Sequence, residues 1–117
     1  MKLTNFELSY VETMFWASLD MDTGEPMDEL YSIGDLSEEA LQRIHTDCEK
    51  FQEKISHLEI EESDSQVAHD FWLTRNRHGA GFWDGDYPKQ LGEELTKISH
   101  EFGEIDLYRG DDGKLYF

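Results

Sequence analysis

The chain contains one cysteine, Cys48, in 117 residues, so an internal disulfide is excluded. A lone thiol is typical of proteins from reducing compartments. The sequence also lacks the apolar N-terminal run of a signal peptide and any window approaching the roughly 18 apolar residues of a membrane span. These absences predict a soluble protein of the cytoplasm without membrane contacts.

Basic residues are also scarce, with ten Lys and Arg against 27 Asp and Glu and a net charge of −17. The excess lies mainly in residues 1–67, which carry 17 acidic and 4 basic side chains. Such a surface repels phosphate backbones and anionic lipids, so direct binding to nucleic acid or membrane is disfavoured. The same field attracts proteins whose working surface is basic.

A hydrophobic fraction of 38% is enough to build one core, which predicts a single domain over residues 1–117. Apolar residues at spacings of three and four predict a first helix over residues 4–19, capped by Thr4 or Asn5. A second helix begins near Asp35 to Ser37. Its apolar stripe is Leu41, Ile44, Cys48, Phe51, Ile55 and Leu58, which predicts a buried structural role for the Cys48 thiol.

The second half of the chain, residues 68–117, favours strands. Two aromatic pairs flank a glycine-bearing turn between His69 and Tyr87, which predicts a β-hairpin. Pro88 opens a third helix with Asp86 as its cap, and Gly103 ends it. An Asp-Gly turn between residues 105–108 and 114–117 predicts a second hairpin. The predicted fold is α+β: an acidic helical half, residues 1–67, and a ββαββ half whose roughly four-stranded antiparallel sheet packs on the helices.

The segment His69 to Asp84 reads His-Asp-Phe-Trp-Leu-Thr-Arg-Asn-Arg-His-Gly-Ala-Gly-Phe-Trp-Asp, and Asp106 to Gly113 reads Asp-Leu-Tyr-Arg-Gly-Asp-Asp-Gly. Both resemble the motifs of a family of small, mostly uncharacterised proteins encoded by bacteriophages and prophage-like elements. Arg77 and Ala80 occupy the two open places of the first motif. The likeness covers most of the chain. It implies a phage origin but carries no established activity.

The charge favours a binding protein, more specifically an inhibitor that mimics nucleic acid and blocks a host DNA-processing or defence protein, such as a restriction nuclease. Spaced carboxylates on a helix can replace phosphates as partners for Lys and Arg. We predict no cofactor and no catalytic residue for this function. The predicted contact residues are Glu38, Glu39, Asp47, Glu49, Glu53, Glu59, Glu61 and Glu62.

Two alternatives place the site in the predicted hairpin instead. Its polar set could bind a divalent metal or share acid–base work, although the spacing matches no known metal or hydrolase pattern. That set is His69, Asp70, Arg75, Asn76, His78, Asp84 and Asp86. In the other alternative, an aromatic and basic patch formed by Trp72, Trp83, Tyr87, Arg75 and Arg77 binds a protein or peptide. The polar set could equally be structural, with Arg75 paired to Asp84 across the hairpin.

Overall fold

The computed structural model describes residues 2–117 and is predominantly helical. The helices are α1 (Asn5–Ala17), α2 (Met27–Leu30), α3 (Glu38–Ile55), α4 (Asp64–Arg75) and α5 (Lys89–His100), with a short 3-10 helix at Ile33–Asp35. Two strands follow, β1 (Tyr108–Arg109) and β2 (Leu115–Tyr116). None of the helices within residues 2–117 is long and apolar enough to cross a membrane.

The first and second predicted helices are confirmed as α1 and α3. Thr4 caps α1 in a reciprocal capping box with Glu7. Ser37 caps α3 by accepting a hydrogen bond from the Ala40 backbone, whereas Asp35 caps the preceding 3-10 turn. Cys48 is fully buried on the inner face of α3, and this burial raises the pKa of its thiol. The thiol therefore packs as a small apolar group.

The prediction of a hairpin at residues 69–87 is wrong, because its first half is helix α4 and its second half is a loop. Nearly every side of α4 is enclosed: its buried residues are Val67, Ala68, Asp70, Phe71, Trp72, Leu73, Thr74 and Arg75. A helix buried all round has no apolar stripe with a period of 3.6. The missed signal lies just upstream, where Ser63 accepts a hydrogen bond from the backbone of Gln66 and caps the helix.

The α+β assignment with a four-stranded sheet is therefore also wrong, since residues 2–117 contain one two-stranded sheet. The second predicted hairpin is confirmed in shorter form: Tyr108 pairs with Tyr116 and Arg109 pairs with Leu115, antiparallel. The third predicted helix is confirmed as α5, although Asp86 does not cap it and Pro88 occupies the cap position. Gly103 follows α5 and adopts a φ of 75°, a left-handed conformation that favours glycine.

The helices surround one hydrophobic core. Helix α4 packs along α1 and against α5, and α3 contacts α1, α5 and β2. Phe51 of α3 and Phe71 of α4 stack at the centre, with ring centroids 3.9 Å apart. Phe102 meets both rings edge-on. Most aromatic residues of the motif therefore belong to this core.

Candidate functional site

The negative charge is a property of the molecular surface. Of the 27 acidic residues, four within residues 2–117 are buried, namely Glu7, Asp20, Asp47 and Asp70. Each has hydrogen-bond partners; the backbone N–H groups of Thr23 and Asp22, for example, lower the pKa of Asp20. The remaining acidic side chains reach solvent wholly or partly.

The outer side of α3 carries the most regular group of exposed carboxylates. Glu38, Glu49 and Glu53 lie on one side of this helix at 100° per residue, and Glu39 borders them. We call these four residues the α3 acidic face. Its length from Glu38 to Glu53 is about 22 Å at 1.5 Å per residue. Three exposed basic residues, Arg43, Lys50 and Lys54, follow the neighbouring side of the helix.

The other predicted contact residues of the acidic surface occupy the connection between α3 and α4. Glu59 and Glu61 are exposed there. Glu62 is half-buried, and its Oε1 atom is enclosed without a hydrogen-bond partner among residues 2–117. Glu59 and Glu61 therefore extend the exposed negative surface beyond the α3 acidic face.

Asp47 does not belong to that surface, because it points from α3 into the protein and is 7% exposed. Its Oδ2 atom accepts hydrogen bonds from Arg75 at 2.7 Å and from Arg43 at 2.8 Å. The sequence prediction placed it outside because it treated every acidic residue of the helix as exposed. Residue 47 in fact borders Ala40, Ile44 and Phe51 on the helical wheel.

Arg75, at the end of α4, is the largest fully buried side chain among residues 2–117. Besides Asp47, its guanidinium donates to the hydroxyl of Tyr10 and to the carbonyl oxygens of Phe102 and Gly103, each at 3.0 Å. It also lies 5.7 Å from the ring centroids of both Phe71 and Phe102. The predicted pairing with Asp84 is wrong, since Arg75 instead joins α1, α3 and the end of α5.

His69 lies on the α1 side of α4 and does not converge with His78. Its Nδ1 atom is 2.9 Å from Oγ1 of Thr13, and its ring packs against Trp16 at 5.8 Å. Trp16 is 60% exposed. Together these residues line a shallow polar cleft of about 410 Å³ between α1 and the start of α4.

Asp70 is buried one residue further along α4 and accepts a hydrogen bond of 2.8 Å from the Tyr87 hydroxyl. Burial raises the pKa of Asp70, and the hydrogen bond from Tyr87 opposes this shift only in part. Burial and the carboxylate also raise the pKa of Tyr87. The hydrogen bond between Asp70 and Tyr87 attaches the loop before α5 to α4. The raised pKa of the Asp70 carboxyl is the one property of this pair that acid–base chemistry would use.

The remaining polar residues of the motif have local structural contacts or face solvent. Asn76 donates to the Trp72 carbonyl and accepts from the backbone of Ile105, which holds the segment before β1. Asp84 accepts from the backbone of Gly81. His78 and Asp86 are exposed.

The seven residues of the predicted hairpin site are thus spread over the core, two loops and the surface. No group of three or more His, Cys, Asp and Glu side chains in residues 2–117 is close enough to hold a metal ion. The aromatic alternative is divided in the same way, because Trp72, Tyr87 and Arg75 are buried while Trp83 and Arg77 are exposed. These five aromatic and basic residues do not form one patch.

One contact was missed by the sequence analysis. His45 lies between two carboxylates, with Nδ1 2.8 Å from Glu7 and Nε2 3.1 Å from Glu49. The spacing of four residues between His45 and Glu49 indicates this neighbourhood in the sequence, but the approach of α1 does not follow from spacing. Glu49 of the α3 acidic face is therefore partly held in place.

Comparison with protein-family models, with curated proteins and with solved structures gives no match to this chain.

Proposed function

We propose that this protein is an acidic binding protein of phage type that blocks a nucleic-acid-handling protein of the bacterial host cytoplasm. The α3 acidic face, extended by Glu59 and Glu61, takes the place of phosphates on the partner's basic surface. The observation that carries the proposal is the division of the carboxylates between the interior and the surface. The carboxylates that hold the fold are buried and paired, while the four of the α3 acidic face are exposed.

Helical geometry suits this role, because a rigid α3 holds its carboxylates at fixed separations. Ser37 caps the helix and its inner stripe anchors it in the core, so the exposed side needs little ordering on binding. Lys and Arg of a partner form charge-assisted hydrogen bonds with such carboxylates. Complementary charge mainly accelerates association and makes it sensitive to salt.

The structure of the motif supports binding over catalysis. Asp70 and Arg75 have protein partners and belong to the packed interior. His69 and His78 lie apart, on the α1 side of α4 and beyond its end. The resemblance to phage proteins adds support for a host target, and nucleases, glycosylases and nucleoid proteins have the basic surfaces required.

The proposal is tested by affinity capture from bacterial lysate with the triple variant Glu38→Lys, Glu49→Lys, Glu53→Lys. A control with the same charge change far along the chain is Glu93→Lys, Glu94→Lys, Asp111→Lys, whose positions are also exposed. We expect the natural chain and the control to recover a nucleic-acid-binding protein at low salt. The acidic-face variant should lose it, with affinity reduced by about tenfold or more.

Two additions make the result specific. High salt and added duplex DNA should each release the captured protein, because both compete for the basic surface. Thermal unfolding of both variants shows whether the domain remains folded. Retention by the folded acidic-face variant, or a partner that neither salt nor DNA displaces, would contradict the proposal.

A further inference from the structure

A second cleft, of about 410 Å³, lies on a different part of the molecule. One wall is the segment Ala17–Met21 after α1, and the other is the segment Glu104–Leu107 before β1. Trp72 of α4 and Asn76, the residue after this helix, line it between these walls. None of its lining residues belongs to the α3 acidic face.

Trp72 carries a hydrogen-bond donor that the fold leaves unpaired. The residue is 2% exposed, and its indole Nε1 has no partner among residues 2–117. Buried tryptophan N–H groups usually find an acceptor, because burial of an unpaired donor costs free energy. Because Trp72 lines the cleft, its indole N–H reports on whatever binds there.

The first wall offers unusual apolar exposure. Leu19 is 59% exposed and Met21 is 89% exposed. Single exposed apolar residues are ordinary, but these two lie together beside a buried donor. Methionine adapts its shape readily to apolar side chains of a partner.

The second wall is acidic and has free backbone groups. Glu104 and Asp106 line the cleft, and no Lys or Arg does so among the residues that the structure describes. Within residues 2–117, the backbone N–H groups of Glu104, Asp106 and Leu107 have no acceptor. The adjoining strand β1 is paired on one side alone, with β2. An open edge of this kind can accept another extended chain.

We propose that this cleft binds an extended segment of a partner protein in which basic and apolar side chains alternate. The segment pairs with Glu104–Leu107 through its backbone and covers Trp72 between the two walls. Its basic side chains meet Glu104 and Asp106, while its apolar side chains cover Leu19 and Met21. Alternation is required because successive side chains of a strand point to opposite sides. This second surface goes beyond the proposed function and does not depend on it.

The test uses nuclear magnetic resonance of the full chain labelled with ¹⁵N, in which Trp16, Trp72 and Trp83 each give one indole signal. The probe is a capped six-residue peptide of alternating Lys and Val, and its counterpart has Glu in place of Lys. We expect the Lys–Val peptide to shift the Trp72 indole signal and the amides of Glu104–Leu107. The Glu–Val peptide should leave these signals unchanged.

Matched variants separate the cleft from the general negative field. Glu104→Lys with Asp106→Lys should weaken binding of the Lys–Val peptide by about tenfold or more, as expected for lost charge pairs. Glu93→Lys with Glu94→Lys makes the same charge change on α5 and should weaken it less than about twofold. The triple variant of the α3 acidic face should keep the Trp72 shift, so failure here and failure of the proposed function are distinguishable.

Four outcomes would overturn the inference. The Trp72 indole signal does not move, or both peptides move it equally, or the shifts spread over the α3 acidic face. A shift at the cleft that grows with protein concentration in the absence of peptide would assign it to a second copy of this chain, which also overturns the proposal.

Discussion

Arg75 satisfies the condition under which a charged group is stable in a protein core. Its carboxylate partner, a tyrosine hydroxyl and two carbonyl oxygens surround the guanidinium, and two aromatic rings flank it. The cost of removing a cation from water is offset only when such partners are complete. If one of these groups is removed, the groups that remain include a buried charge or polar atom without its full set of partners.

We therefore expect Arg75→Met to lower the free energy of unfolding by about 3–5 kcal/mol, because Asp47 then stays buried with the exposed Arg43 as its one remaining cation. Asp47→Leu combined with Arg75→Met should recover much of the loss. The control is Arg43→Met, since Arg43 contacts the same carboxylate from an exposed position and should cost less than about 1 kcal/mol. Urea denaturation measures all three, and a cost below that of the control would contradict this account.

Asp70 gives a pH dependence whose sign follows from its raised pKa. The folded chain holds this proton more tightly than the unfolded chain, where the pKa is about 3.9. Its stabilising contribution is complete below that value and is lost as the pH rises through the folded pKa. Asp70→Asn keeps an acceptor for the Tyr87 hydroxyl but does not titrate.

The natural chain should therefore lose stability relative to Asp70→Asn as the pH is raised from about 4 to about 8. Urea denaturation across this range gives the difference at each pH. Asp111→Asn, at an exposed position that is not among the groups shifting the pKa of Asp70, is the control and should lose stability over this range as the natural chain does. A difference between natural chain and Asp70→Asn that stays constant with pH would contradict the assigned cause.

At the scale of single residues, the sequence shows which residues are unusual but not which of them are in contact in the folded protein. Arg75 and Asp47 are separated by 28 positions, and Arg75 and Tyr10 by 65. No periodicity links such pairs, because their contact depends on how whole helices pack. The local contacts, such as Thr4 with Glu7, follow from short spacing and could be predicted.

Among the elements, α3 and α5 were predictable because each has one apolar side. Helix α4 was not, because it lies at the centre and contacts α1 and α5. Its adjacent aromatic residues Phe71 and Trp72 and the glycines that follow favour a strand and turn when the sequence is considered alone. The cap at Ser63 marks where α4 begins, and the turn after Arg75 marks where it ends.

The end of α4 has an unusual residue for its geometry. Arg77 adopts a left-handed φ of 56°, while His78 donates to the Leu73 carbonyl and Arg77 donates to the Thr74 carbonyl. These are the two bonds of a Schellman motif, whose left-handed position favours glycine. Arg77→Gly should raise the free energy of unfolding by about 0.5–1 kcal/mol. Arg77→Ala is the control and should give no gain; a gain in both would point to charge rather than backbone strain.

Helix α5 is positioned by a glycine inside the helix. A Cβ atom at Gly92 would lie 2.6 Å from the carbonyl oxygen of Phe82 in the neighbouring loop. Helix propensity alone would make Gly92→Ala stabilising by about 0.8–1.0 kcal/mol. We expect Gly92→Ala instead to destabilise the fold by about 1–3 kcal/mol, because the backbone of α5 and that of the loop at Phe82 must move apart. Gln90→Ala, exposed on the same helix, should change stability by less than about 0.5 kcal/mol in thermal or urea unfolding; a stabilising Gly92→Ala would contradict the close packing.

For the whole molecule, the net charge of −17 should make stability depend on salt. Raising NaCl from about 10 mM to about 1 M shortens the Debye length from about 30 Å to about 3 Å and screens the repulsion among surface carboxylates. We expect the free energy of unfolding to rise over this range. The triple variant of the α3 acidic face has a net charge six units less negative and should show a smaller rise. An equal rise in both proteins would assign the effect to general salting-out.

The acidic bias and the single core were readable from composition, whereas the arrangement of helices was not. The sequence predicts the motif in a sheet packed on the helices, whereas the motif begins in helix α4, whose Phe71 stacks on Phe51 from the acidic half of the chain. The two halves share one interior. Composition cannot reveal this, because burial of the motif requires α1 and α3 as partners.

The position of Arg75 also affects how this chain can fold as it is made. Two of its acceptors, the carbonyls of Phe102 and Gly103, are synthesised 27 and 28 residues later. At about 5–20 residues per second, the ribosome adds that stretch in roughly 1–6 s. During this interval an early closure of the first four helices would enclose a cation with only half of its partners. We therefore expect α4 to pack stably on α1 and α3 only after the chain has been made as far as Gly103.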